Sequence, residues 1–391
     1  MGLMSTGPAR ASRRSVAVVA AAVASAALLS ACGAEKISAS GSTTDGAGST
    51  DTSASGASDK WAVQLRDGST FHLAPSIAKR VEANEPVGYL FSYQSSAIQG
   101  FSEQFKAGFE RTQPEAKQIY PGMQFTALAP SVNPGDVQQQ ISQIQAQVNA
   151  GKVDCLSLNP LTGDGYTQIT NELLARGIPV FTVGITTQGN ELTNFTQIPL
   201  KEGAQAATTV LQYMRDNNLD FKTFAMSAGD PTLSWAPQRA EGFQRAILEA
   251  IPDARFVTTP RSLLNVSYDA ARSLDAYKAF FAGKGKDVQV LLNVDITAGY
   301  AAQALDQAGL KGRAFSVGWN VTPEQIQAIR DGTQIALFDQ KWWQQGGFGG
   351  PACATFLKTG RVLPNTQRLE VVTKANVDSA LADLDRILGK G

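Results

Sequence analysis

From residue 86 to residue 388 the chain alternates short apolar runs with segments whose apolar residues recur every three or four positions. Val87-Gly88-Tyr89-Leu90-Phe91 predicts a buried strand, and Phe101, Phe105 and Phe109, four apart, predict one face of a helix. A weaker strand is predicted over 124–127. Val137, Ile141, Ile144 and Val148 mark the next helix, closed by Gly151, and a strand succeeds it over 153–158. A helix ending at Gly177 leads into a strand over 179–183. The alternation continues with strands over 223–227, 255–259, 288–293, 314–317 and 334–338. Helices centred on Leu211, Phe243, Ala276, Ala304 and Ile326 separate them. A strand near 369–372 and a helix over 376–388 end the pattern.

Strands alternating with helices imply parallel sheets with right-handed crossovers, an α/β fold. There are more such units than one open sheet holds comfortably, so two doubly wound parallel-sheet lobes are predicted. Residues 61–84, upstream of the alternation, predict a strand-like arm and a short helix packed on the first lobe. His72 falls there as a surface or packing residue. Ligands of doubly wound sheets bind beyond the carboxyl ends of the strands. Residues just after each strand are therefore the first candidates for function.

The length of 391 residues is enough for two cores. Lys+Arg and Asp+Glu both number 34, so no net field draws nucleic acid or an anionic surface, and recognition must be local. A single histidine and three cysteines without a CxxC leave no basis for a metal or cofactor. Cys155 and Cys353 read as buried thiols, and a disulfide between them stays open. The Gly346-Gly347-Phe348-Gly349-Gly350 run lacks the Lys-Ser/Thr ending of a phosphate loop and reads as close helix packing.

The first 32 residues look like an export leader. Arg10, Arg13 and Arg14 precede an apolar run from Val16 to Leu29 that is too short to span a bilayer. It ends in Leu29-Ser30-Ala31-Cys32, which resembles a lipobox with Cys32 as the lipidated residue. Residues 33–60, almost all Ser, Thr, Gly, Ala and Asp from residue 37 on, predict a flexible tether. The folded part is thus expected outside the cytoplasmic membrane, in the periplasm or cell-wall space, held by a lipid anchor.

Three segments carry a resemblance that covers roughly residues 86–373. They are Leu158-Asn159-Pro160 with Gly177-Ile178-Pro179-Val180; Arg239-Ala240-Glu241-Gly242-Phe243; and Val317-Gly318-Trp319-Asn320 with Ala336-Leu337-Phe338-Asp339-Gln340. In this order and spacing they resemble the type I periplasmic sugar-binding proteins, the ribose-binding branch that serves ABC importers. The resemblance implies two lobes joined by a multi-strand hinge: an N-terminal lobe of 61–186 plus 341–366 and a C-terminal lobe of 187–340 plus 367–391. It implies that Asn159 bonds a ligand hydroxyl. Asn320 stands where the family usually has Asp, and Gln340 matches a hinge-proximal Gln that touches ligand. Asn293 and Asp295 lie in a strand-end segment that reads Asn-Asp in the family. Trp319 occupies an aromatic pocket position, and Tyr93, Gln94 and Gln99 follow the first strand among its aromatic and polar contacts. The chain departs from the family at Gly184-Ile185, in place of an Asp-Arg pair, and at Pro237, beside Trp235, in place of an Arg. Arg239 matches instead the helix Arg of the family.

Asn and Gln amides donate and accept, so they match hydroxyls without net charge, and aromatic faces cover C–H surfaces. The candidate set suits a neutral monosaccharide or sugar alcohol. Each member has a plainer reading: Asn159, Asn320 and Asp295 as caps or turn residues, Trp235 and Trp319 as core aromatics, Arg239 as a structural cation. The function expected is that of a monomeric solute-binding lipoprotein handing its ligand to the permease of an ABC importer. The alternative is an extracytoplasmic sensor presenting a sugar, nucleoside or autoinducer to a receptor. Strand-end carboxylates are too few for paired-carboxylate hydrolysis, so no enzyme is expected.

Overall fold

The computed structural model describes residues 60–95, 100–129 and 136–390. The leader with Cys32, the tether up to residue 59, and Gln99 lie outside the described residues. The described chain opens with a hairpin of β1 (Val63–Gln64) and β2 (Thr70–Phe71), succeeded by α1 (Pro75–Glu82). This arm is fastened to the first core: Trp61 Nε1 donates to the Leu357 carbonyl at 2.9 Å, and the Phe71 ring lies 5.8 Å from that of Phe356. His72 is exposed.

Among the described residues, the first main sheet comprises β3 (Val87–Ser92), β4 (Met123–Leu128), β5 (Cys155–Leu158), β6 (Val180–Val183) and β7 (Thr193–Phe195). All run parallel in the order β4-β3-β5-β6-β7. The helices α2 (Phe101–Ile119), α3 (Val137–Asn149) and α4 (Thr167–Ala175) connect β3 to β6. The central strands β5 and β6 are buried throughout, which is why each reads as a continuous apolar run rather than an alternation. β7 lies beyond residue 187, where the sequence reading sets the lobe division. Phe181 pairs with Thr193, so the first sheet continues to Phe195. A three-residue edge strand reading Thr-Asn-Phe has no apolar run to betray it.

The second main sheet comprises β8 (Thr223–Ala228), β9 (Arg255–Phe256), β10 (Leu264–Asn265), β11 (Val290–Asn293), β12 (Phe315–Trp319), β13 (Gln334–Asp339) and β14 (Glu370–Val372). The order is β10-β8-β11-β12-β13-β14, with β9 also on β8; only the β13–β14 pair is antiparallel among these. The helices α5 (Pro199–Asp216), α6 (Trp235–Ala250), α7 (Ala270–Ala282), α8 (Ala298–Gln307) and α9 (Pro323–Arg330) cover it.

After β13 the chain returns to the first sheet as α10 (Trp342–Thr359), which packs on α2 and against β3, β5 and β6. A Cβ at Gly346 would overlap the Phe105 carbonyl, and one at Gly108 the Trp343 carbonyl, so the glycine run permits backbone contact between α2 and α10. Trp342 is buried there, its ring 4.7 Å from that of Phe101. Cys353 of α10 is disulfide-bonded to Cys155 of β5, closing the alternative that composition leaves open. The last helix, α11 (Val377–Leu388), sets Val377 and Ala380 on the second-lobe face beside Ile326 and Val372. It also reaches α2, where Arg111 Nη1 donates to the Arg386 carbonyl at 3.2 Å. Among the described residues, no helix is long and apolar enough to cross a membrane.

Candidate functional site

Parallel strands bring their carboxyl ends to one edge of each sheet, and most of the expected site residues follow those ends. On the first sheet Asn159 follows β5 and is only 3% exposed. Its Nδ2 donates to the Val183 carbonyl at 3.0 Å, and its Oδ1 accepts the Gln94 N–H at 3.4 Å. One amide therefore ties the ends of β3, β5 and β6 together. Tyr93, expected among the ligand contacts, is buried. Its ring stacks on Phe91 at 5.1 Å and lies over Phe105, and burial raises its phenol pKa.

On the second sheet Asn293 is fully enclosed. Its Nδ2 donates to Ser227 Oγ at 3.1 Å, and its Oδ1 accepts the N–H groups of Asp295 and Thr297. Asp295 accepts from the Gly229 N–H at 2.6 Å and from both N–H and Oγ1 of Thr297. Burial raises its pKa and these bonds oppose the rise. Both side chains thus build the loop after β11. Tyr268, which pattern reading misses, lies over Gly229 at the same edge, its pKa raised by burial and by Asp295 and Asp230 beside it.

Asn320 follows β12 in the left-handed region, with φ of 60°, a conformation that Asn tolerates better than most residues. It clasps Gln340, which follows β13. Asn320 Nδ2 donates to Gln340 Oε1 at 3.2 Å, and Asn320 Oδ1 accepts the Gln340 N–H at 3.1 Å. Gln340 Nε2 donates onward to Gln197 Oε1 and Glu202 Oε1, both at 3.4 Å. Arg239 forms an ion pair with Glu202 through Nε and donates from Nη1 to the Val294 carbonyl at 2.8 Å. Its guanidinium lies between two indoles, 4.7 Å from the Trp235 ring and 4.9 Å from that of Trp319. Trp319 is completely buried, whereas Trp235 is half-buried. Trp235 and Trp319 therefore flank Arg239, and Arg239 and Gln340 meet at Glu202, which the sequence pattern does not predict.

The two sheet edges are linked through Gln345 of α10. Its Nε2 donates to the Gln340 carbonyl at 3.1 Å. Its Oε1 and Asn159 Nδ2 stand 2.9 and 2.7 Å from the point that a Cβ of Gly184 would occupy. The Gly184 that replaces the family's charged residue is what leaves room for both amides. Among the described residues, Gln345 Oε1, Gln197 Nε2, Trp319 Nε1 and, beside the Gln340 carbonyl, Gln367 Oε1 are buried here without a hydrogen-bond partner. Nothing in the local pattern marks Gln197, Glu202 or Gln345. Glu202 reads as an ordinary first-turn acid of a helix.

Asp339, just before Gln340, carries a testable charge. Burial raises its pKa from 3.8 to about 6, against the opposing Lys341 N–H and ammonium. The folded state thus holds a proton that the unfolded state releases, so stability falls as pH rises from about 4 to about 6 and stays lowered above. Asp339→Asn is expected to be about 1–2 kcal/mol more stable than the parent at pH 7.5, with the gain vanishing below pH 4. Urea melts across this range check it, and a gain independent of pH refutes it. Among the described residues, no group of three or more His, Cys, Asp or Glu side chains is placed to hold a metal ion. Surface depressions of about 520 Å³ beside Trp343, Phe348 and Leu363, and of about 580 Å³ beside Leu211 and Pro252, border none of the residues above.

Comparison with known proteins places this geometry. The family described as periplasmic binding protein domain matches residues 88–357. No curated protein matches the sequence. Several solved structures share the fold. A Caulobacter myo-inositol binding protein bound to myo-inositol is 16% identical, with a TM-score of 0.61 over 75% of this chain and 97% of its own. A periplasmic ribose ABC transporter protein from Conexibacter woesei is 18% identical, with a TM-score of 0.64 over 76% and 96%. An ABC transporter periplasmic solute binding protein from Actinobacillus succinogenes with bound D-allose is 15% identical, with a TM-score of 0.62 over 75% and 99%. The family match runs from β3 through β13 and into α10, and by it this chain belongs to the periplasmic binding proteins, which bind solutes rather than transform them.

Proposed function

We propose that this chain is the solute-binding lipoprotein of an ABC importer, anchored through Cys32 and binding a neutral monosaccharide or sugar alcohol between its lobes. One observation carries the ligand class: the buried charges of Arg239 and Asp295 at the second strand edge are spent internally. Arg239 is paired with Glu202, and the Asp295 carboxylate is saturated by N–H and hydroxyl donors. What remains for a guest is amide and indole chemistry, which suits hydroxyls and disfavours an amino-acid zwitterion or a phosphate. The solved relatives that hold myo-inositol and D-allose support the same class. Asn320 and Gln340 are the proposed hydroxyl contacts on the second lobe and Asn159 with Gln94 on the first; Trp235 covers a C–H face. Binding that draws the lobes together yields the form a permease reads. The Cys155–Cys353 bond fits an oxidising, extracytoplasmic compartment.

A thermal-shift screen with myo-inositol, D-allose and D-ribose, then calorimetry, tests the reading. Asn320→Ala and Gln340→Ala are each expected to weaken binding by about 10–100-fold, since each leaves a buried ligand hydroxyl unpaired. Stabilisation only by amino acids or nucleosides, or unchanged affinity in both variants, refutes it.

A further inference from the structure

We infer that Glu202, without touching ligand, is the positioning residue that fixes which end of the Gln340 amide is presented at the strand edge. The inference rests on the binding reading above only for its effect on ligand, not for the geometry itself. Its origin is the contact between α5 and α6. A Cβ at Gly203 would overlap the Arg239 carbonyl, and one at Gly242 the Leu200 carbonyl, so the two glycines let the helix backbones touch. That approach sets Glu202, 2% exposed, against Arg239, 4% exposed. Arg239 is itself immobilised by two indole faces and the Val294 carbonyl.

The consequence is a fixed polarity. A carboxylate only accepts hydrogen bonds, so with Oε2 held by Arg239 its Oε1 compels Gln340 to turn its NH2 inward. The second N–H of that group goes to Gln197 Oε1. Gln340 Oε1 then accepts from Asn320 Nδ2, and Asn320 Oδ1 accepts from the Gln340 backbone. The buried anion at one end and Asn320, itself oriented by the Gln340 backbone N–H, at the other thereby hold the Gln340 amide in one direction. With a neutral amide at position 202 the Glu202 end accepts either orientation, Asn320 alone opposes a flip, and the hold on the Gln340 NH2 is weakened.

Two measurements on the purified protein test this. In the ligand-free state, the Gln340 side-chain amide protons, assigned through Gln340→Leu, are expected to exchange with solvent about tenfold faster in Glu202→Gln, while those of Asn159 keep their rate. Unchanged exchange at Gln340 overturns the inference. In calorimetry with myo-inositol and scyllo-inositol, which differ in one hydroxyl orientation, Glu202→Gln is expected to compress the affinity ratio by about fivefold or more. Equal weakening of both, the mark of a merely structural role, overturns it. Should Glu202→Gln fail to fold because Arg239 is left unpaired, Glu202→Gln combined with Arg239→Gln removes both charges and is read by the same criteria. Binding of neither inositol by the parent protein, together with the faster exchange in the variant, refutes the proposed ligand class and upholds the role of Glu202.

Discussion

Arg239→Ala is expected to cost about 3–5 kcal/mol of unfolding free energy, because it strands the Glu202 carboxylate in a site from which water is excluded. The cation is held on three sides, by Glu202, by the Val294 carbonyl and by the faces of Trp235 and Trp319. Its removal also deletes the filling between two indoles. The sharper part of the expectation is the contrast. Arg239→Met combined with Glu202→Leu replaces both charges by apolar groups of similar volume, and such replacements are often neutral or stabilising. Urea melts of the single and double variants decide it. A loss below about 1 kcal/mol in Arg239→Ala would mean that the pair behaves like a surface salt bridge.

Removing the Cys155–Cys353 bond is expected to have an effect of similar size. The two residues are 198 positions apart. Loop-closure entropy assigns such a cross-link about 5 kcal/mol, and native disulfides typically contribute about 2–5. The double variant Cys155→Ala, Cys353→Ala should therefore melt at clearly lower denaturant than the oxidised parent, and at the same point as the parent reduced while unfolded. Both cysteines are completely buried, so reductant added to the folded protein should act only slowly. Alkylation of both thiols in the oxidised, native protein would show that the bond does not form.

The parallel lobes are legible because their central strands are buried on both faces and so appear as uninterrupted apolar runs. β3, β5, β6, β8 and β11 announce themselves this way. β7 and β10 do not. They are two- or three-residue edge strands with Asn in them, and only pairing with β6 and β8 defines them. At the site, Asn159, Asn320 and Gln340 are legible because each directly follows a strand. Their partners are not: Gln340 meets Glu202 and Gln197 across 138 and 143 positions, and no local period encodes such a meeting. Arg239 and Trp319 show the same limit differently. Residue type names an aromatic and a cation but leaves their mutual stacking to the fold. Tyr93 reads equally well as a ligand contact or a core ring, and its packing on Phe91 and Phe105 is set by the fold rather than by any local pattern.

The return of α10 to the first sheet has a consequence for how the protein is made. The helix lies against β3, β5 and β6 and shares its backbone contact with α2, yet it is synthesised only after β8 to β13 of the second sheet. A nascent chain that ends before residue 342 carries a first sheet with one apolar face bare. Its first lobe cannot finish until most of the second has been made, however early its residues leave the ribosome. The order of synthesis thus withholds a completed domain until nearly the entire polypeptide exists.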